Sequence, residues 1–302
     1  MRFYYQGVDI SDSVSLHSVV YNDVAGDEAD RLDITFNDTN REWAKWGVET
    51  GEECRFAEGP LNTGTLYVDS AWANNGIFTI GAVSVPPSSK GPKQRAFEDV
   101  RFLALASEIA GLHGFSFENH GAPNVLYERM RQDWESDFAF LSRLASLESC
   151  TLKAFDKKLV IYDQASMEAR GAVDSIDITP YDSYRVGCSD ARTIGACEVM
   201  TSKGPVRYDA PNAPNDRVYK VHDLMAASEA EALRFAKGIA RKCNRTRERC
   251  RLPIDLRTDI TAGSVITVKG EGLQTANYYV YRAEHNLTTV QSIIYGRKPL
   301  GW

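Results

Sequence analysis

No stretch of this chain approaches the ~18 consecutive apolar residues of a membrane span. The amino terminus, MRFYYQGVDISDSV, has neither the apolar core nor the cleavage site of a secretory signal. Both absences lead us to expect assembly in a cytoplasm and no membrane span. Basic excess is also missing: the formal charge is −6, which argues against specific nucleic-acid binding. Catalytic signatures are absent too. There is no GxSxG, no P-loop and no GxGxxG, and KGEGL (Lys269 to Leu273) reads as a turn between strands. No HExxH surrounds the five histidines, His17, His113, His120, His222 and His285. His113 and His120 share the loop HGFSFENHG, where a metal pair is conceivable. For His285, in the strand-like VYRAEHNL, a packed or hydrogen-bonded imidazole is the default. The acid pairs Glu52–Glu53 and Asp27–Glu28 fall in polar stretches with no sign of a glycosidase dyad. We therefore expect no catalytic residues, no metal site, no cofactor and no enzyme.

Cysteine pairing motifs are lacking as well. Cys54, Cys150, Cys188, Cys197, Cys243 and Cys250 are scattered without a CxxC. Cys188–Cys197 and Cys243–Cys250 are imaginable as bridges or ligands, but neither spacing is a metal motif. Buried, reduced thiols suit a cytoplasmic chain better.

What is present is a balanced globular composition, 43% apolar and 25% charged. At 302 residues the chain has room for two or three compact units. The first ninety residues alternate as strands, with Leu32, Ile34 and Phe36 as the clearest case, and Asn/Asp/Gly clusters between them. Trp43 and Trp46 sit three apart, as on one helical turn, which suits core or interface packing. The stretch PPSSKGPKQ (Pro86 to Gln94) reads as a loop and a boundary. Beyond it RAFEDVRFLALASEIAGLHG turns helical, with Phe102, Leu105, Ala106 and Ile109 on one face and Gly111 and Gly114 at its end. A second helix is expected in RQDWESDFAFLSRLASLES, with Asp133 as N-cap and Trp134, Phe138, Leu141 and Ala145 as its apolar face. CTLKAFDKKLVIYD then reads as a hairpin turning at Phe155-Asp156-Lys157-Lys158.

Strands resume in VDSIDITP, YDSYRVGCSD and IGACEVMTSKG, interrupted by the polar loop Ala210 to Arg217. A helix over 228–245 opens on a capping box of Ser228 and Glu231. From Arg234 to Arg251 there are eight Lys/Arg against Glu248 alone. Phosphate binding is one reading of that run. A solvated helix end or a protein interface is favoured, because no aromatic platform accompanies the charges.

The chain also echoes itself. TGEECRFAEGPLNTGTLYVDSAWANNGIFTIG around Gly51 and TAGSVITVKGEGLQTANYYVYRAEHNLTTVQSIIYG around Gly263 align at an offset of 212, which also pairs Leu66 with Tyr278, Val68 with Val280 and Asn74 with Asn286. The copies are either two ordinary β-meanders or two related modules. The expected class is α+β, mainly β, with two antiparallel β-barrel modules. The expected limits are 1–92 for the first module, 93–164 for an α/β insertion of two helices and a hairpin, and 165–302 for the second module.

Two segments resemble a known family. YERMRQDWESDFAFLSRLASLESCTLKAFDKKLVIYD resembles the helix–hairpin signature of the phage late-control D family, baseplate hub proteins of contractile tails related to the hub part of type VI secretion spike proteins. Gln132, Asp133, Trp134, Asp137, Phe138, Leu141, Arg143, Leu144 and Ala145 fit it. Glu148-Ser149-Cys150 departs from it where the family often has a helix-ending Gly. ITAGSVITVKGEGLQTANYYVYRAEHNLTTVQSIIYGRKP looks like the family's C-terminal hub element, with Gly263, Tyr279, Val280, His285 and Arg297 on the pattern. The helix from Ala96 also resembles the one that precedes the family's insertion.

The resemblance implies a virion structural protein rather than an enzyme: a homotrimer in which two barrels per chain adapt a six-fold tail tube to a three-fold spike. Implied partners are further copies of the chain, the tube or its initiator, a trimeric spike, the tape-measure protein and other baseplate proteins. The implied location is the tail baseplate, assembled in the host cytoplasm. A tail-associated peptidoglycan hydrolase and a host-surface carbohydrate-binding module are the alternatives. The dispersal of Trp43, Trp46, Trp72, Trp134 and Trp302 counts against the second.

Overall fold

Alternating apolar residues build the first part of the chain into strands. A computed structural model describes residues 1–179, 182–270 and 272–302. The first module comprises β1 (Arg2–Tyr5), β2 (Val8–Asp9), β3 (Ser15–Val24), β4 (Arg31–Asn37), α1 (Glu42–Trp46), β5 (Glu53–Glu58), β6 (Leu61–Asn62), β7 (Leu66–Asn74) and β8 (Ile77–Val83). Leu32, Ile34 and Phe36 of β4 are fully buried, because the period of two sends them to one face. They meet Phe3, Phe56, Leu66 and Ile80 in a core of their own. Trp43 on α1 plugs it, stacked on Phe78 at 5.3 Å, with Trp46 edge-on at 4.7 Å.

The middle segment holds β9 (Lys93–Arg101), α2 (Phe102–Leu112), β10 (Ser116–His120), β11 (Leu126–Glu135), α3 (Asp137–Leu147), β12 (Cys150–Phe155), β13 (Lys158–Asp163) and the short α4 (Gln164–Glu168). Two expectations are corrected here. RAFEDV is not helical: it lies in β9, paired antiparallel with β11, and the helix begins at Phe102. No residue of this strand is fully buried, so it lacks an apolar alternation to set it apart from the helix pattern downstream.

Asp133 and Trp134 do not open α3 either. Both lie in β11, and Trp134 is 71% exposed with φ at 52°. Ser136 is the cap, its hydroxyl accepting from the Ala139 amide at 3.3 Å. Phe138, Leu141 and Ala145 are buried as expected, together with Phe140 and Leu144. The hairpin turns through Asp156 and Lys157, both at positive φ, as a two-residue turn requires.

The last segment holds β14 (Asp174–Ile178), β15 (Arg185–Cys188), β16 (Ala196–Thr201), β17 (Gly204–Asp209), β18 (Val218–Ala226), α5 (Glu229–Asn244), β19 (Glu248–Asp255), β20 (Val265–Gly270), β21 (Ala276–Asn286) and β22 (Gln291–Arg297). Ser228 caps α5 by accepting from the Glu231 amide at 3.2 Å, while Glu231 accepts from the Ala227 amide at 2.6 Å. β14, β19, β20, β21 and β22 enclose another core, around Leu252, Ile266, Val280 and Ile294. α5 and the β17-β16-β18 sheet instead pack with α2 and α3 into the largest core. There Gly238 of α5 lies against the carbonyls of Ser146 and Leu147.

The α+β, mainly β class holds, but among the described residues the strands do not close into separate barrels. Among the described residues the pairings form one continuous 14-stranded sheet, ordered β15-β19-β22-β21-β3-β4-β8-β7-β5-β1-β2 with β14, β20 and β6 as branches. The two modules are joined inside it by the antiparallel pairing of β3 with β21.

Candidate assembly edges

The echo is repeated in the backbone. The Gly51 amide donates to the Val68 carbonyl and the Val68 amide to the Glu52 carbonyl, both at 2.8 Å. Gly263 donates to Val280, and Val280 to Ser264, both again at 2.8 Å. The two glycines sit at φ 94° and 93°, a region open to glycine and strained for other residues. A bulge follows each, between Val68 and Ser70 and between Val280 and Arg282. Bulges of this kind bend and twist the strand, so both modules curl at the same place.

The strand order repeats too. In the first module it is β1-β5-β7-β8-β4-β3, and in the second β14-β20-β21-β22-β19-β15. One difference is that β14 runs parallel to β20, whereas β1 runs antiparallel to β5.

Two edges are unequal between the modules. β3 covers residues 282–286 of β21. The matching residues of β7, 70–74, pair with β8 on one side and with no strand on the other among the described residues. β15 stands where β3 stands in the first module and, among the described residues, pairs only with β19 and ends the sheet. Trp72 is 70% exposed on the free edge of β7.

Between the modules sits the β12–β13 hairpin. Lys153 donates to Asp23 at 2.6 Å, to the Val24 carbonyl at 2.7 Å and to Asp30 at 3.0 Å. Burial pushes the Asp30 carboxyl up, and despite the opposing charge of Lys153 it stands at about 6. Tyr162 donates to the Ala25 carbonyl and lies 3.2 Å from the Tyr279 hydroxyl of the second module.

At the start of α3, buried Asp137 accepts from Lys93 at 2.6 Å, from Gln132 at 3.0 Å and from Arg95, and its other contact is His113 Nε2 at 2.7 Å. Burial alone would raise this carboxyl. The hydrogen bonds from Lys93, Gln132 and His113, with the charge of Arg95, outweigh it and hold the group at about 2.

The residues weighed in the sequence are thus dispersed. His113 serves Asp137, while His120 is exposed beside Glu118. His285 is buried, its Nδ1 2.9 Å from Ser292 Oγ. Among the described residues no group of three or more His, Cys, Asp or Glu could hold a metal. No cysteine is bridged; Cys54, Cys150, Cys197 and Cys250 are buried. Cys188, however, is exposed at the open end of the sheet, contrary to the expectation of burial.

The basic run is a solvated face only in part: Lys237, Lys242, Arg249 and Arg251 are exposed, while others are held by carboxylates. Arg241 is buried against Glu168 at 3.2 Å, with Arg297 2.6 Å from the same carboxylate. Arg234 meets Glu148 at 3.0 Å and Arg245 meets Asp27. Ser149 takes a left-handed φ of 60° after α3, the conformation a helix-ending glycine would supply. Sequence reasoning named neither free edge and missed the exposure of Cys188. The offset of 212 is a signal that leads to the edge of β7.

No family model and no curated protein matches the chain. Solved structures do. A tail protein from Neisseria meningitidis MC58 superposes with a TM-score of 0.77 at 11% identity, over 99% of this chain and 97% of its own. A tail protein of prophage MuSo2 from Shewanella oneidensis gives 0.74 at 12%, over 99% and 98%.

The fold is that of phage tail proteins.

An E. coli component of the type VI secretion system, itself similar to T4 bacteriophage tail proteins, matches this tail-protein fold at 0.59 and 12% identity, over 99% of this chain and 77% of its own.

Proposed function

We propose that this chain is a structural, non-enzymatic baseplate hub of a phage tail or tail-like injection particle. Three copies form a ring that adapts a six-fold tail tube to a three-fold spike. The observation that carries the reading is the repeated module: the same glycine, the same pair of hydrogen bonds and the same bulge recur at 51/68 and 263/280. Two like modules per chain give three chains six like positions, which suits a six-fold partner on one side and a three-fold one on the other. The tail-protein fold is consistent with it. The partners are further copies of the chain, the tube or its initiator, and a trimeric spike, with the tape-measure protein and other baseplate proteins nearby. The location is the virion baseplate, after assembly in the host cytoplasm. The units are 1–92, 93–164 and 165–302, with the α5 segment of the third packed on the second.

Light scattering and negative-stain imaging of the purified chain test this. A ring of about 101 kDa, three times the 33.6 kDa chain, is expected. A protein that stays monomeric at high concentration and beside its spike refutes it. A cell-wall zymogram is expected to show no clearing.

A further inference from the structure

We propose that residues 70–74 of β7 pair antiparallel with β15 of a second copy, Ala71 opposite Cys188 and Ala73 opposite Val186 of that copy. The proposal rests on the trimer reading and adds its contact and register.

The register comes from the pairing inside the chain. β21 matches β7 at an offset of 212, since Val265↔Tyr279 and Ile266↔Tyr278 repeat Glu53↔Tyr67 and Cys54↔Leu66. β15 is matched to β3 through their shared neighbours. Leu32↔Ala82 and Arg31↔Val83 in the first module correspond to Cys250↔Gly296 and Arg249↔Arg297 in the second. Tyr21↔Leu32 and Asn22↔Arg31 then correspond to Val186↔Cys250 and Gly187↔Arg249. The pairs that join the modules within one chain, Ala283↔Asp23, Glu284↔Asn22 and His285↔Tyr21, therefore translate to Ala71 with Cys188, Trp72 with Gly187 and Ala73 with Val186.

The direction of the free backbone groups agrees independently. β7 and β8 are joined by the two-residue turn Asn75-Gly76, so Asn74 and Trp72 bond to β8 and the groups of Ala71 and Ala73 point outward. In β15 the amide of Ser189 donates to Arg247 at 2.8 Å. By alternation Gly187 and Arg185 also bond to β19, and the groups of Cys188 and Val186 point outward. Inside the chain, Ala25 to Tyr281 and Leu287 to Val19, both 3.0 Å, bracket the β3–β21 ladder and put its exchanged bonds at Asp23–Ala283 and Tyr21–His285. These are the counterparts of the two outward-facing pairs, so every donor on one free edge meets an acceptor on the other. The side chains fit as well. Trp72 faces Gly187, where a Cβ would meet no atom within 4 Å, leaving room for an indole over an edge glycine.

Native Cys188 makes the test a single substitution. Opposed residues of a hydrogen-bonded antiparallel pair lie with Cα atoms about 5.5 Å apart, within disulfide reach. Copper-phenanthroline oxidation of Ala71→Cys should convert most of the assembled protein to covalent dimer and trimer on a non-reducing gel. Ala71→Cys with Cys188→Ser should give none. Ala73→Pro removes one outward amide and leaves the β7–β8 bonds, so it should weaken the trimer at least about tenfold with an unchanged circular dichroism spectrum. A full-mass trimer without cross-links above the serine control overturns the edge assignment and leaves the hub reading standing. A wild-type protein that is monomeric throughout overturns both.

Discussion

Asp137 offers a test of how the middle segment is held. Its side chain is fully buried, and it gathers Lys93, Arg95, Gln132 and His113 at the first turn of α3. A carboxyl held at about 2, against an unfolded value near 3.9, corresponds to about 2.5 kcal/mol favouring the ionised folded form. Lys93 and Arg95 are 38% and 30% exposed, so solvent screening reduces this to about 1–2 kcal/mol. The folded value is depressed, so the contribution is present above pH 4 and lost as pH falls toward 2. Asp137→Asn keeps the shape and removes the charge. Urea unfolding followed by far-UV circular dichroism should place the variant about 1–2 kcal/mol below wild type at pH 7. The gap should narrow steadily below pH 4, because the unfolded chain then binds a proton that the folded carboxyl does not take up until the pH nears 2. An equal gap at pH 7 and pH 2.5 would refute the argument, since the charge would then contribute nothing.

Three further outcomes follow from the packing. Gly238→Ala should destabilise the chain despite the ~1 kcal/mol helix preference of Ala, because its Cβ would strike the carbonyls of Leu147 and Ser146; thermal melting checks the sign. Lys153→Met should cost about 3–5 kcal/mol at pH 7 by leaving Asp23 and Asp30 buried without a counter-charge. Asp30 stands at about 6, above its ordinary value, so the stability tied to its protonated form is present below pH 4 and lost as pH rises through 6. The variant should therefore weaken more between pH 5 and 7.5 than wild type does. Finally, a thiol reagent should modify Cys188 of the unassembled chain much faster than Cys54, Cys150, Cys197 and Cys250, which burial pushes up to about 12 and which react only on unfolding.

Much of this fold was legible because backbone demands leave marks in the chain. Gly51 and Gly263 each occupy a positive φ, so both copies carry glycine there although most of their other side chains differ. Leu32, Ile34 and Phe36 announced β4 because one face of that strand is buried and the other is not. The Ser228 cap was visible because orphan amides need a short polar partner. Where both faces of a strand are exposed the signal failed. β9 carries KQRAFEDVR with no fully buried residue, and was absorbed into the helix that follows. The α3 start was misplaced because Asp133 and Ser136 are both good caps, and only the β9–β11 pairing decides between them. Buried charge was invisible for a different reason. Arg241 and Arg297 are placed by Glu168, a partner far away in sequence. The free edges could not be read locally at all, since an edge is defined by which strand fails to arrive.

The position of the middle segment bears on whether a ring closes. A head-to-tail contact repeated from module to module gives a ring only if the rotation per step divides a full turn; otherwise it gives an open helix. Within one chain that rotation is set by the β3–β21 ladder, and a two-strand ladder alone can twist over a wide range. Here it is braced. The β12–β13 hairpin grips the end of β3 and the loop after it through Lys153 on Asp23 and Asp30, and Tyr162 spans Ala25 of the first module and Tyr279 of the second. Gly26 lies so close to Thr151 and Leu152 that no larger residue fits there. Within the proposed ring the insertion is therefore the part that fixes the intrachain angle, and the β7–β15 contact has only to copy it. The helix–hairpin and the repeat are then two halves of one device: the repeat supplies like edges, and the hairpin holds them at one angle.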